Sequence, residues 1–232
     1  MRILRHEVLQ FYLSHPTEEM AVQHLAMCAR VAYRSEDKSG YAADRALLRR
    51  LLFDVKHESV FEHVSATALL QTDRGISHEI VRHRLAAYTQ ESTRYCNYSK
   101  RRFDREISVV QPADIIEGTP AYAQWYIACE AAETFYHQLT DDGCSPQMAR
   151  SVLPTCLATR IAMTANLREW RHILKLRTGQ VAGSKPHPDI VNLMTQVLLR
   201  FKMNWGVFFE DMEPTTPPSV ESPQRQLPLD GA

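Results

Sequence analysis

Strict alternation of apolar and polar positions marks two stretches of the chain. Val64, Ala66, Ala68 and Leu70 alternate with Ser65, Thr67, Leu69 and Gln71, which predicts a strand. From Thr155 to Thr164, Leu157, Thr159, Ile161 and Met163 alternate with Cys156, Ala158, Arg160 and Ala162, which predicts a second. Elsewhere the apolar positions recur at helical spacing. Thr17 reads as an N-cap with Glu18 and Glu19 in the first turn, opening a helix to about Arg34. Leu47, Leu48, Leu51, Leu52 and Val55 predict a helix from Ala42 to about Val55. Asp73, Arg74 and Gly75 read as a turn, followed by a helix from Ile76 to about Leu85.

Stronger punctuation lies downstream. Thr119-Pro120 starts a helix that runs to about Asp141 and stops at Gly143, and Ser145-Pro146 starts a short one. Asn166, with Glu169 three residues later, opens a helix to Arg177. His187-Pro188 opens the last, with Ile190, Met194, Val197, Leu198 and Phe201 inward. Residues 1–16 are ambiguous, and Ile107–Val110 suggests a short strand. The expected class is α+β, helix-rich, with an antiparallel or mixed central sheet and helices packed on it. No repeat or linker interrupts residues 17–212, so residues 1–212 are expected to form a single domain. Five of the 12 prolines fall in the last 19 residues, so 213–232 is expected to be an unfolded tail.

Composition narrows the class. The chain has 232 residues, 44% of them hydrophobic, enough for a sizeable core. Formal net charge is zero, which excludes a polyanion binder acting by bulk charge. The charge is uneven, however. Between Arg74 and Arg105 eight lysines and arginines face only Glu79, Glu91 and Asp104, which points to one local anion site. The five cysteines are scattered without a C-x-x-C, consistent with a reducing cytoplasm. No apolar leader region opens the chain and no apolar run reaches membrane-spanning length, so no membrane association is expected. His57, Glu62 and His63 lack the spacing of a zinc motif, and no metal is expected.

No two glycines are spaced as G-x-G, and there is no G-x-x-x-x-G-K, so neither dinucleotide nor P-loop phosphate cradle is present as a motif. Phosphate recognition would fall to side chains, and arginine suits it because its planar fork bonds phosphate oxygens bidentately. Arg82, His83 and Arg84, at the end of the predicted helix, would fan about 100° apart and line a groove or touch two ligands. Tyr88, Tyr95, Tyr98 and Phe103 interleave with the cations, and this admits an alternative: a nucleic-acid-binding module using residues 82–105.

Arg82-His83-Arg84, seven residues and then Ser92 resembles the signature of the flavin-dependent thymidylate synthases, the ThyX family. Four further stretches are similar to the family's, in its order: His57 to His63, Tyr88 to Tyr95, Ala149 to Pro154, and Asn166, Arg168, His172 and Arg177. The resemblance implies reductive methylation of dUMP to dTMP, with methylenetetrahydrofolate as carbon donor and NADPH-reduced FAD as hydride source. It implies a homotetramer with shared active sites and no nucleic-acid partner. By the same resemblance Ser59, Arg82, His83, Arg84, Gln90, Asn166, Arg168 and His172 contact flavin. Glu79, Arg82, Gln90, Ser92, Arg94, Arg150 and Arg177 contact dUMP, and Arg177 is the catalytic group that polarises the uracil ring. The chain departs from other members at Glu79 (Gln in some), Gln90 (Glu in others) and His172 (Asn in others).

Overall fold

The structure, a computed structural model, describes residues 1–215. The ambiguous N-terminal segment forms two strands, β1 (Arg2–Leu4) and β2 (Glu7–Leu13). Thr17 caps α1 (Glu18–Val31) by accepting from the Met20 amide, as its hydroxyl and the two glutamates after it predict. The next helix, α2 (Tyr41–Arg49), changes winding and continues as a π-helical turn over Arg50–Asp54. β3 (Ser65–Asp73) follows. Asp73 is not a turn residue: its carboxylate accepts from the Ile76 amide and starts α3 (Arg74–Ile80). That helix ends short of the expected Leu85, and β4 (Ala86–Gln90), which the alternation did not single out, takes over.

The remaining elements begin where their caps predict. After β5 (Ser108–Val110) come α4 (Pro120–Asp141), α5 (Pro146–Ala149), β6 (Ala158–Asn166), α6 (Leu167–Arg177) and α7 (Pro188–Trp205). Thr119 accepts from the Tyr122 amide and Asn166 from the Glu169 amide, closing donors that a helix start leaves open.

The two predicted strands pair with each other at the centre. The order β2-β3-β6-β4 makes a four-stranded sheet in which every pairing is antiparallel. A separate pair, β1 with β5, is parallel. Register runs from Ser65 opposite Asn166 to Asp73 opposite Ala158. It places Ala66, Ala68 and Leu70 with Ile161, Met163 and Ala165 on the buried side, so a one-residue slip would expose the whole set. Trp170, Phe201 and Trp205 complete this main core. Burying one large apolar side chain is worth about 1.5–3 kcal/mol, which makes this face the dominant stabilising layer. A smaller cluster of Tyr98, Ile107, Val109, Cys129, Tyr136, Ala149 and Leu157 lies under α4, with Trp125 packed against it. All three tryptophans therefore serve the cores.

Among the described residues no helix is long and apolar enough to cross a membrane. The tail expected over 213–232 lies outside the described residues from position 216 on. At its start, Thr215 Oγ1 donates to the Thr178 carbonyl at 2.7 Å and Gln180 Nε2 to the Glu213 carbonyl at 2.9 Å.

Candidate active site

Arg82, His83 and Arg84 sit in the turn between α3 and β4, not on a helix end. The expected fan is replaced by alternation: His83 is only 7% exposed, while both arginines face solvent. One tyrosine holds the turn. The Tyr88 hydroxyl lies 2.9 Å from the Ile80 carbonyl and 2.7 Å from the His83 carbonyl, and donates to both. The Ile80 carbonyl thus has a second donor beside the His83 amide, which lies 3.2 Å from it. Burial, with the Glu169 carboxylate adding to it, pushes the Tyr88 phenol up to about 12, so it remains a donor at neutral pH.

Arg177, the last residue of α6, reaches this turn. Its Nε donates to His83 Nε2 at 3.0 Å, its Nη1 to Glu79 Oε2 at 2.6 Å and its Nη2 to the Glu79 carbonyl at 3.2 Å. To accept from a guanidinium, His83 Nε2 must carry a lone pair. Burial, then the Arg177 and His172 charges, lowers the His83 pKa to about 4, which agrees with that neutral form. Its Nδ1 faces Glu169 Oε1 at 3.9 Å. Glu79, expected from the resemblance to contact dUMP, pairs with Arg177 and not with Arg82. A guanidinium has five N–H groups, and this arrangement uses three, leaving two for a ligand.

Beside the turn, a cleft of about 480 Å³ is lined by Leu85, Asn166, Arg168, His172, Glu58 and Glu62. Arg168 Nη1 pairs with Glu62 at 2.6 Å and its Nε with Glu58 at 3.7 Å. Asn166 spends its Oδ1 on the Glu169 amide at 2.9 Å, so its amide nitrogen remains to donate. Ser59 is exposed on the short helical turn Glu58–His63. Leu85 is the apolar side chain of this lining, beside three carboxylates, and the guanidinium, imidazole and amide donors suit the polar edge of a heteroaromatic ring such as a flavin's.

The rest of the expected set lies toward the far end of β4. Gln90 turns inward, Nε2 donating to Ser77 Oγ at 2.9 Å and Thr159 Oγ1 at 3.2 Å, away from the cleft. Ser92 Oγ accepts from the Arg94 amide at 3.3 Å. Arg94 Nε donates to Gln147 Oε1 at 2.8 Å, and Arg150 Nη1 to Thr93 Oγ1 at 3.1 Å. Both guanidinium groups are exposed. Among the described residues no hydrogen bond or ion pair joins Ser92, Arg94 and Arg150 to Glu79, His83 and Arg177. Gln90, at the end of β4, lies between the two sets, because its partner Ser77 is two residues before Glu79 on α3. Sequence reasoning offered Tyr88 only as a stacking ring of the alternative reading, and it assigned no role to Thr93 or Gln147. An aromatic hydroxyl five residues after His83 is the only local signal for Tyr88, and the other two become visible only through their contacts.

Of the interleaved aromatics that suggested a nucleic-acid module only Tyr95 is exposed, at 75%, so they do not form a row of open rings. Tyr98 is 5% exposed, with its ring 5.7 Å from Tyr136 and 5.2 Å from Phe103, and the Tyr88 hydroxyl is engaged in the turn.

Residues 15–203 match the family described as thymidylate synthase complementing protein, Thy1. The flavin-dependent thymidylate synthase of Geobacter sulfurreducens is 34% identical over 169 residues, covering 70% of this chain and 69% of that protein. That of Thermococcus onnurineus is 36% identical over 127 residues, 54% of this chain and 51% of that protein, so the chain spans about half the length of that relative. A crystal structure of thymidylate synthase X from Helicobacter pylori, with FAD and dUMP, shares the fold: TM-score 0.69 at 18% identity, covering 90% of this chain and 98% of that one. An antiparallel sheet backed by helices, an arginine held at a buried imidazole, and a family match across residues 15–203 agree, and the chain belongs to the thymidylate synthase complementing protein family.

Proposed function

We propose that the chain methylates dUMP reductively to dTMP, taking the carbon from methylenetetrahydrofolate and using FAD reduced by NADPH. The observation that carries this reading is Arg177, anchored by three hydrogen bonds to Glu79 and His83 with two N–H groups to spare. As carbon five of the pyrimidine becomes the nucleophile, negative charge builds on the ring carbonyls. A guanidinium fixed before the reaction stabilises that charge without reorganising, and one such donor is worth about 100- to 1,000-fold in rate. Bound FAD would supply the hydride.

In this reading, Asn166, Arg168 and His172 hold the flavin across the cleft with Ser59, and Arg82, His83 and Arg84 approach it from the turn. Ser92, Arg94 and Arg150 grip the dUMP phosphate, with Glu79, Arg82 and Gln90 on the nucleotide. The inward position of Gln90 makes it the residue of this set with the longest way to move. A homotetramer in which different chains complete each site belongs to this reading. Residues 1–212 act as one catalytic domain, in the cytoplasm. The structure of Helicobacter pylori thymidylate synthase X with FAD and dUMP supports the ligand pair.

The test is tritium release from carbon five of labelled dUMP, measured with NADPH oxidation and added FAD. Release that requires methylenetetrahydrofolate and FAD together supports the reading. Purified protein that takes up FAD yet releases no tritium with all co-substrates present would overturn it.

A further inference from the structure

At the opposite end of α3 from the Arg82–Arg84 turn, three residues distant in sequence converge. His6 directly precedes β2, Asp73 closes β3, and Asp189 lies in the first turn of α7. Their side chains are 6%, 9% and 3% exposed. One ligand-type atom from each lies within 4.8 Å of the others. His6 Nε2 stands 3.9 Å from Asp73 Oδ2 and 3.7 Å from Asp189 Oδ2, too far to hydrogen-bond either, and has no partner among the described residues.

The other polar atoms of the trio are engaged. Asp73 Oδ1 accepts from the Ile76 amide at 2.6 Å, Asp189 Oδ1 from the Ala113 amide at 2.9 Å, and His6 Nδ1 contacts Thr72 Oγ1 at 2.9 Å. What remains is one imidazole nitrogen and two carboxylate oxygens around a common point. Two carboxylates bring two negative charges, and the two helix starts they sit on return only about half a positive charge each. Roughly one negative charge at this largely buried site is left to the neighbouring His6 and His187 imidazoles or to a bound cation that shares it.

The geometry points to a binding site for a divalent transition cation, Zn²⁺ above all, held by His6 Nε2, Asp73 Oδ2 and Asp189 Oδ2. Tetrahedral ligands about 2.0–2.2 Å from zinc lie roughly 3.4 Å apart; the two distances from His6 Nε2, 3.7 and 3.9 Å, are within about half an ångström of that, and the two carboxylate oxygens, within 4.8 Å of each other, would draw in on the ion by side-chain rotation. The supporting contacts are those a metal site needs: the far imidazole nitrogen has an oxygen partner, and each carboxylate's second oxygen is fixed by a backbone N–H. An imidazole and only three protein ligands disfavour Mg²⁺ and Ca²⁺, which seek six or more oxygens. A solvent-open cleft of about 300 Å³, lined by Asp73, Asp189, Glu79 and His187, gives the ion a path and room for water as fourth ligand. The bound ion would tie β2, β3 and α7 together at one point.

The test strips the full chain with a chelator, titrates it with ZnCl₂ alone, and reads bound metal after dialysis together with the melting temperature. The wild type is expected to take up about one equivalent per chain and to melt higher with zinc. Asp189→Asn and Asp73→Asn keep Oδ1 for their backbone N–H groups, so the fold is retained while a ligand is lost. Each is expected to weaken binding about tenfold or more, since even supporting contacts are worth 10- to 100-fold. Should either variant fail to fold, His6→Gln makes the same comparison. A wild type that retains no zinc and shows no change in melting overturns the proposal. So does zinc held equally by Asp189→Asn, which would place it elsewhere, for instance at the His15–His24 pair, whose ring nitrogens lie 3.0 Å apart.

Discussion

Arg177 spends Nε, Nη1 and Nη2 on His83 and Glu79, whereas Arg94 spends one nitrogen on Gln147 and Arg150 one on Thr93. Arg177 ends an eleven-residue helix and abuts a buried imidazole. Arg94 and Arg150 extend into solvent from a loop and a short helical turn. The first arrangement fixes a field before any ligand arrives, which suits charge that develops during a reaction. The second leaves most of its donors free, which suits a group that arrives fully charged, such as a phosphate.

Arg177→Ala should break the comparison most severely. Turnover is expected to fall about 100- to 1,000-fold while the protein still folds and takes up FAD. Near-normal tritium release from this variant would remove Arg177 from the chemistry. Acid titration probes the same cluster next. His83 is held neutral with a pKa of about 4, well below its unfolded value. The unfolded chain therefore binds a proton that the folded chain refuses as pH falls from about 6.5 to 4. Stability should drop through that window, by on the order of 3 kcal/mol at its lower end, and be unaffected above it. Chemical denaturation of His83→Gln across this range should show a shallower slope. An unchanged slope would mean that the imidazole is not the group responsible.

Arg150→Ala and Arg94→Ala test the open group. Each removes one charge-assisted contact worth about 1.5–3 kcal/mol, so KM for dUMP should rise roughly tenfold to a hundredfold with little change in kcat. A fall in kcat alone would show the two groups to be more alike than their surroundings suggest. Glu79→Gln is expected to act least. Glutamine still accepts from Arg177 Nη1, but a carboxylate 35% exposed no longer opposes the incoming anion. Screened by solvent, that change is worth about 1 kcal/mol or less, a few-fold tighter dUMP in a binding titration. Weaker binding would instead give the carboxylate a role in holding the nucleotide.

The helices around the site were legible because their starts are written locally. Thr119 with Pro120, Asn166 with Glu169, and His187 with Pro188 each name a cap that the structure uses. β3 and β6 were legible because one face of each is buried, and alternation follows from burial. β4 was not, since as an edge strand it buries neither face fully. The end of α3 was misjudged for a related reason. Ile76, Ile80 and Val81 continue a helical rhythm, but Val81 is exposed and the chain turns where Tyr88, from the next strand, takes the Ile80 and His83 carbonyls. Family motifs pointed to Glu79, His83 and Arg177, yet not to their mutual hydrogen bonds, which span 94 and 98 residues. The His6, Asp73 and Asp189 cluster had no local pattern at all, because each member comes from a different element.

The Tyr88 hydroxyl has a consequence for the entropy of ligand capture. Ordering a backbone residue costs about 1–2 kcal/mol, and the turn between α3 and β4 carries three residues offered to ligands. Because one phenol grips the turn on both sides of Val81 and Arg82, that cost is met when the chain folds and not when an anion binds. A phenylalanine at position 88 would keep the packing but release the grip, and the turn's disorder would then be subtracted from every ligand's affinity. In the proposed reading, Tyr88 supports binding by holding the backbone that carries Arg82, His83 and Arg84.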